Sequence, residues 1–96
     1  MTAEEIALNI AVNLGRMARW AMENKPKRIQ QFLVETENYL RQLDAAPKKE
    51  RFMKTYDAFR KIFDGSIKER SAQPDERWAE DVLTWANILS HRAKLA

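Results

Sequence analysis

Three prolines, Pro26, Pro47 and Pro74, divide this chain of 96 residues into four stretches, and each stretch repeats apolar residues at the three- and four-residue steps of a helix. Proline has no backbone N–H, yet it fits the first helical turn, where that N–H would be unpaired anyway. A proline at the head of each later stretch, and none inside one, reads as helix punctuation. With only two glycines and abundant Leu, Ala, Glu, Lys and Arg, helix formers dominate between these marks. The expected fold is all-α: an up-down-up-down four-helix bundle with helices at about residues 3–23, 27–44, 48–63 and 75–94, in a single domain 1–96.

The first segment opens with Thr2 and Glu5, the spacing of a capping box. Ile6, Ile10, Leu14 and Met17 gather on one face at 100° per residue. Ala7, Ala11, Gly15 and Ala18 run beside them and would let a neighbouring helix come close. Leu8, Val12 and Trp20 fall off this stripe, which marks them as candidates for exposed apolar surface. In the second segment Ile29, Phe32, Leu33, Thr36, Tyr39, Leu40 and Leu43 share an arc, and Val34 faces the other way. The connectors at Asn24-Lys25-Pro26 and Asp44-Ala45-Ala46-Pro47 are short, so segments one to three should run antiparallel to their neighbours.

The third segment differs in kind. Phe52, Tyr56, Phe59 and Phe63 succeed one another at steps of four, three and four, the spacing of a core face. Asp64-Gly65 follows, with Gly65 suited to a left-handed helix end. The longest connector, Ser66 to Gln73, precedes Pro74 and is long enough to act as a joint, so exchange of the fourth helix between two copies is a competing architecture. In the fourth segment Trp78, Ala79, Val82, Leu83, Trp85, Ala86, Leu89 and Ala93 form the expected buried arc, and His91 lies on the polar side.

Charge is unevenly placed. Between Pro47 and Arg70 eight basic residues meet four acidic ones, a local +4 that exceeds the +3 of the whole chain. Lys48, Lys49, Arg51, Lys54, Lys61, Lys68 and Arg70 are therefore candidates for contact with an anionic partner. The aromatics of this region fall on the opposite arc from the lysines. They should fill the core and cannot stack on bases.

Chemistry-bearing patterns are sparse. There is one histidine and no cysteine, so a zinc site would need mostly carboxylate ligands. No Glu stands three residues before His91, which removes the paired Glu-x-x-His pattern of helical di-iron sites. Two isolated glycines cannot build a phosphate-cradling loop. The adjacent carboxylates Glu4/Glu5, Asp75/Glu76 and Glu80/Asp81 sit at helix starts or on polar faces, outside the buried surroundings that acid–base work draws on.

The resulting expectation has no catalytic, cofactor or metal site. The chain should be a non-enzymatic interaction or regulatory module, with a protein or a second copy of itself as partner. Trp20, Leu8 and Val12 are candidate anchors, and homodimerisation is the simplest cause of several off-stripe apolar residues. The alternative is a nucleic-acid-associated factor using the basic third segment. No apolar run approaches the ~20 residues of a membrane span. The acidic start Met1-Thr2-Ala3-Glu4-Glu5 does not resemble a basic export leader, and a cysteine-free chain suits the cytoplasm.

Overall fold

Thr2 starts the first helix as expected: its hydroxyl accepts the Glu5 N–H at 3.2 Å and its own N–H donates to the Glu5 carboxylate at 2.9 Å. Those bonds to Thr2 hold the Glu5 carboxyl below the ordinary glutamate value. A computed structural model describes all 96 residues. It contains α1 (Ala3–Met22), α2 (Pro26–Ala45), α3 (Glu50–Ile62) and α4 (Glu76–Arg92), and no strand. A π-helical turn, Phe63–Ile67, continues α3, and a 3₁₀ turn, Ala93–Leu95, ends the chain.

The order is up-down-up-down around one core. Asn13 meets Thr36 and Trp20 meets Phe32, so α1 and α2 are antiparallel. Thr55 meets Arg92 and Phe59 meets Trp85, which sets α3 antiparallel to α4. α1 lies closest to α4 and next to α2, while α3 stands diagonally across the bundle from α1. The small residues explain the closeness. Ala7, Ala11 and Ala18 of α1, Ala79 and Ala86 of α4 and Ala93 of the final 3₁₀ turn are all buried, and side chains this small let the two helices come close. Phe52, Phe59, Phe63 and Trp78 are fully buried, as are Ile10, Leu14, Met17, Ile29, Leu40 and Leu43.

The punctuation is more varied than the sequence pattern implies. Pro26 is the first residue of α2, reached through Asn24 in the left-handed region at φ 56°. Pro47 and Pro74 stand outside their helices. Ala46 is extended, the conformation that a following proline favours, and α3 begins only at Glu50, two residues later than expected. At α4 the Asp75 carboxylate accepts the Trp78 N–H at 2.8 Å, which makes Asp75 the cap and leaves Pro74 just before it.

Gly65 does not end α3 in a left-handed turn. It keeps negative φ inside the π-helical turn, where the Lys68 N–H reaches back to the Phe63 carbonyl at 2.9 Å. The connector beyond it is fastened at several points. Ile67 is fully buried, and its carbonyl accepts the Trp78 indole N–H at 2.9 Å. Ser71 is buried too, taking a bond from Gln30 and donating to the Lys68 carbonyl. Within the chain this segment fastens the end of α3 to α2 and to the start of α4. α4 returns onto α1 of the same chain.

Two further placements differ from expectation. Leu83 lies on the solvent flank of α4 instead of in its buried arc, because α1 approaches so closely that only small side chains fit between the helices. Asn13, by contrast, is buried, donating to the Glu35 carboxylate at 3.0 Å and to the Thr36 hydroxyl at 3.5 Å. Every buried polar side chain finds a partner except the Tyr56 hydroxyl.

Candidate functional site

The helix faces left over by core packing define two surfaces, one on each side of α4. The first is the α1/α4 face. Leu8, Val12, Gly15, Arg19 and Met22 follow one another at steps of four, three, four and three, so they share one flank of α1. Leu8, Val12 and Met22 are 39%, 51% and 78% exposed, and Leu83 across the seam is 48% exposed. Gly15, Ala18, Met22, Ala79 and Leu83 line a groove of about 500 Å³ between the helices, rimmed by Arg19, Glu76 and Glu80. None of these three charges forms an ion pair within the chain, although charged pairs tie together much of the opposite side of the bundle. The groove exists because small side chains floor it and large ones border it.

Trp20 does not belong to this face. It lies on the α2 side of α1, half-buried, edge-on to Phe32 at a ring separation of 4.7 Å. The Arg28 guanidinium sits 5.6 Å above its ring. Leu8 and Val12 are thus brought together with Met22 and Leu83, and Trp20 is assigned to the α1–α2 packing. Val34 is exposed alone on α2, with no apolar neighbour on its face to extend it into a patch.

The basic third quarter is largely self-engaged. Lys48 donates to the carbonyls of Leu43, Asp44 and Ala46, closing the end of α2, and its ammonium lies 5.0 Å from the Tyr56 ring centre. Arg51 donates to the Leu95 carbonyl, and the Lys49 backbone N–H to that of Ala96, so the chain end is tied to the start of α3. Lys68 pairs with Glu37 at 3.2 Å. Arg70 spans Asp75 and Asp81, at 3.8 and 3.1 Å. That leaves the Lys49, Lys54 and Lys61 side chains without an ion-pair partner. The partners of Lys48 are two to five residues away, whereas Arg51, Lys68 and Arg70 reach Leu95, Glu37 and Asp81 on other elements, and those pairings cannot be read from the local sequence.

The aromatics of α3 point inward as their spacing implies: Phe52, Tyr56, Phe59 and Phe63 are all buried. The second surface follows from their bulk. Phe59 and Trp85 stand with ring centres 5.6 Å apart between α3 and α4, and the two backbones cannot close as α1 and α4 do. A groove of about 290 Å³ remains, lined by Lys54, Thr55, Ala58, Trp85, Ile88 and Arg92. A smaller space of about 150 Å³, which shares Trp85, continues it past Ile62 to Asp81. Trp85 is therefore a wall of this groove as well as a core neighbour. Trp78 is wholly inside.

His91 is exposed, and no group of three or more His, Asp or Glu side chains is placed to hold a metal ion. The start of α4 is an open acidic surface of Asp75, Glu76, Glu80 and Asp81 around Arg77. No helix is long and apolar enough to cross a membrane. Comparison with protein-family models, with curated proteins and with solved structures found no match to this chain.

Proposed function

We propose that this protein is a non-enzymatic interaction module that works as a homodimer, with the α1/α4 face as its contact surface. The observation that carries the reading is the juxtaposition of an apolar stripe with unpaired, oppositely charged groups around one groove. Leu8, Val12, Met22 and Leu83 supply the apolar area, and Arg19 faces Glu76 and Glu80 across the rim. A two-fold axis running along the bundle between α1 and α4 would lay α1 of one copy over α4 of the other. In that arrangement Leu83 of each copy sits over Gly15 of its counterpart, and Arg19 sits over Glu76 and Glu80, so the face is its own complement.

The size is adequate. Two helices about 30 Å long and about 10 Å apart present on the order of 600 Å². Two such faces meeting would bury roughly 1,200 Å², at the lower end of stable interfaces. Binding of nucleic acid through the third helix has less support. Four of its seven candidate cations are engaged within the chain, and its aromatics are buried. A cysteine-free chain fits a reducing cytoplasm.

The reading is tested by a charge exchange. Arg19→Glu should convert the dimer to monomer in light scattering, and Glu76→Arg with Glu80→Arg should do the same. Mixing the two variants should restore a mixed dimer, since each carries the charge that the other lacks. Two variants that remain monomeric when mixed, or an Arg19→Glu protein as dimeric as the wild type, would remove the proposal.

A further inference from the structure

The α3/α4 groove lies on the other side of α4 from the proposed dimer face and has a different chemistry. Its floor is apolar: the Trp85 ring, Ile88 and the Ala58 methyl. Its rim is cationic, with Lys54 on α3 and Arg92 on α4 and no carboxylate among the lining residues. Lys54 has no ion-pair partner, and Arg92 is bonded only to the neutral Thr55 hydroxyl, at 3.2 Å. Trp85 also differs from Trp78. The Trp78 indole N–H is bonded to the Ile67 carbonyl, whereas no protein acceptor takes the Trp85 N–H. Lining charges of one sign and an aromatic wall stand together in a space of about 290 Å³.

We infer that this groove binds a small amphipathic anion, an apolar carboxylate whose tail lies along Trp85 and Ile88 and whose head group is held by Lys54 and Arg92. The charge fixes the sign of the ligand, since a cation or a neutral tail would leave both basic groups without a partner. The groove volume limits the tail to a short acyl or single-ring aryl group. The acid Asp81, which lies beyond Trp85 in the adjoining space, is already paired with Arg70 and gives the tail end no competing head-group site.

The test uses two probes with one tail, octanoate and octylammonium. They are titrated into the intact protein while its three indole N–H signals and its backbone amides are followed by NMR. Octanoate should move the Trp85 indole signal and the amides of Lys54, Ala58 and Ile88 in a saturable way, and octylammonium should not. Lys54 is exposed, so Lys54→Glu should keep the amide spectrum of the folded protein and weaken octanoate by about tenfold, the value of one charge-assisted contact. Leu83→Lys, on the dimer face, should leave octanoate binding unchanged, which separates this site from the dimer proposal. Equal shifts from octanoate and octylammonium would overturn the inference, as would an unmoved Trp85 signal or octanoate binding unaltered by Lys54→Glu.

Discussion

α4 has two neighbours in this bundle and meets them in opposite ways. Toward α1 it presents Ala79 and Ala86, and α1 answers with Ala7, Ala11 and Ala18, so the backbones close on each other. Toward α3 it presents Trp85 against Phe59, and the backbones stay apart. The choice of small or large residues at a seam decides where the large ones must go. A seam of alanines excludes Leu8, Val12 and Leu83 from the interior and leaves them as an apolar face. An aromatic seam takes its large residues inside and leaves a groove between the helices instead.

The largest expected effect comes from removing the aromatic spacer. Phe59→Ala deletes a fully buried ring that touches both Phe63 and Trp85, and should cost about 3–5 kcal/mol in urea unfolding. A cost below that range would mean that α3 collapses onto α4, and that the groove can close. The complementary change inserts bulk into the tight seam. Ala11→Leu should cost about 1–3 kcal/mol by overpacking, and it should push α1 from α4. If the protein accommodates leucine there without loss, small residues are not what sets the spacing.

The smallest effect is expected at Tyr56. Its ring belongs to the aromatic face, but its hydroxyl is buried with no partner, so the polar atom is desolvated without return. Tyr56→Phe keeps the ring and removes that atom. Thermal unfolding should show a stability unchanged or raised, within about 1 kcal/mol. A clear loss would reveal that the hydroxyl has a role in packing α3 against the rest of the bundle.

Much of this architecture was legible in the sequence. Helical periodicity placed the four segments, the spacing of Phe52, Tyr56, Phe59 and Phe63 identified a core face, and the small residues of α1 announced a close neighbour. What escaped was tertiary. Gly65 looks like a helix end because glycine tolerates the left-handed region, yet burial of Phe63 and Ile67 on either side of it draws the chain on through a π-helical turn. Leu83 sits at the edge of an apolar arc, and whether an edge residue is covered depends on how near the next helix comes. The cations Arg51, Lys68 and Arg70 read as a free basic surface only while their partners on other elements are unknown, and Lys48 only until its ammonium is seen to fold back on the carbonyls at the end of α2. Leu8 and Val12 were visible as strays. Their continuation through Met22 to Leu83 required knowing which flank of α1 receives α4.

If a second copy covers the apolar face left by the tight α1/α4 seam, self-association must depend on Leu83. Sedimentation equilibrium over a concentration series, on the wild type and on Leu83→Lys, tests it most directly. The wild type should approach twice the 11.3 kDa chain mass as concentration rises, and Leu83→Lys should remain at one chain mass with its helical spectrum intact. A wild type that stays at 11.3 kDa throughout, or a Leu83→Lys protein that associates as strongly as the wild type, would mean that no second copy covers this face.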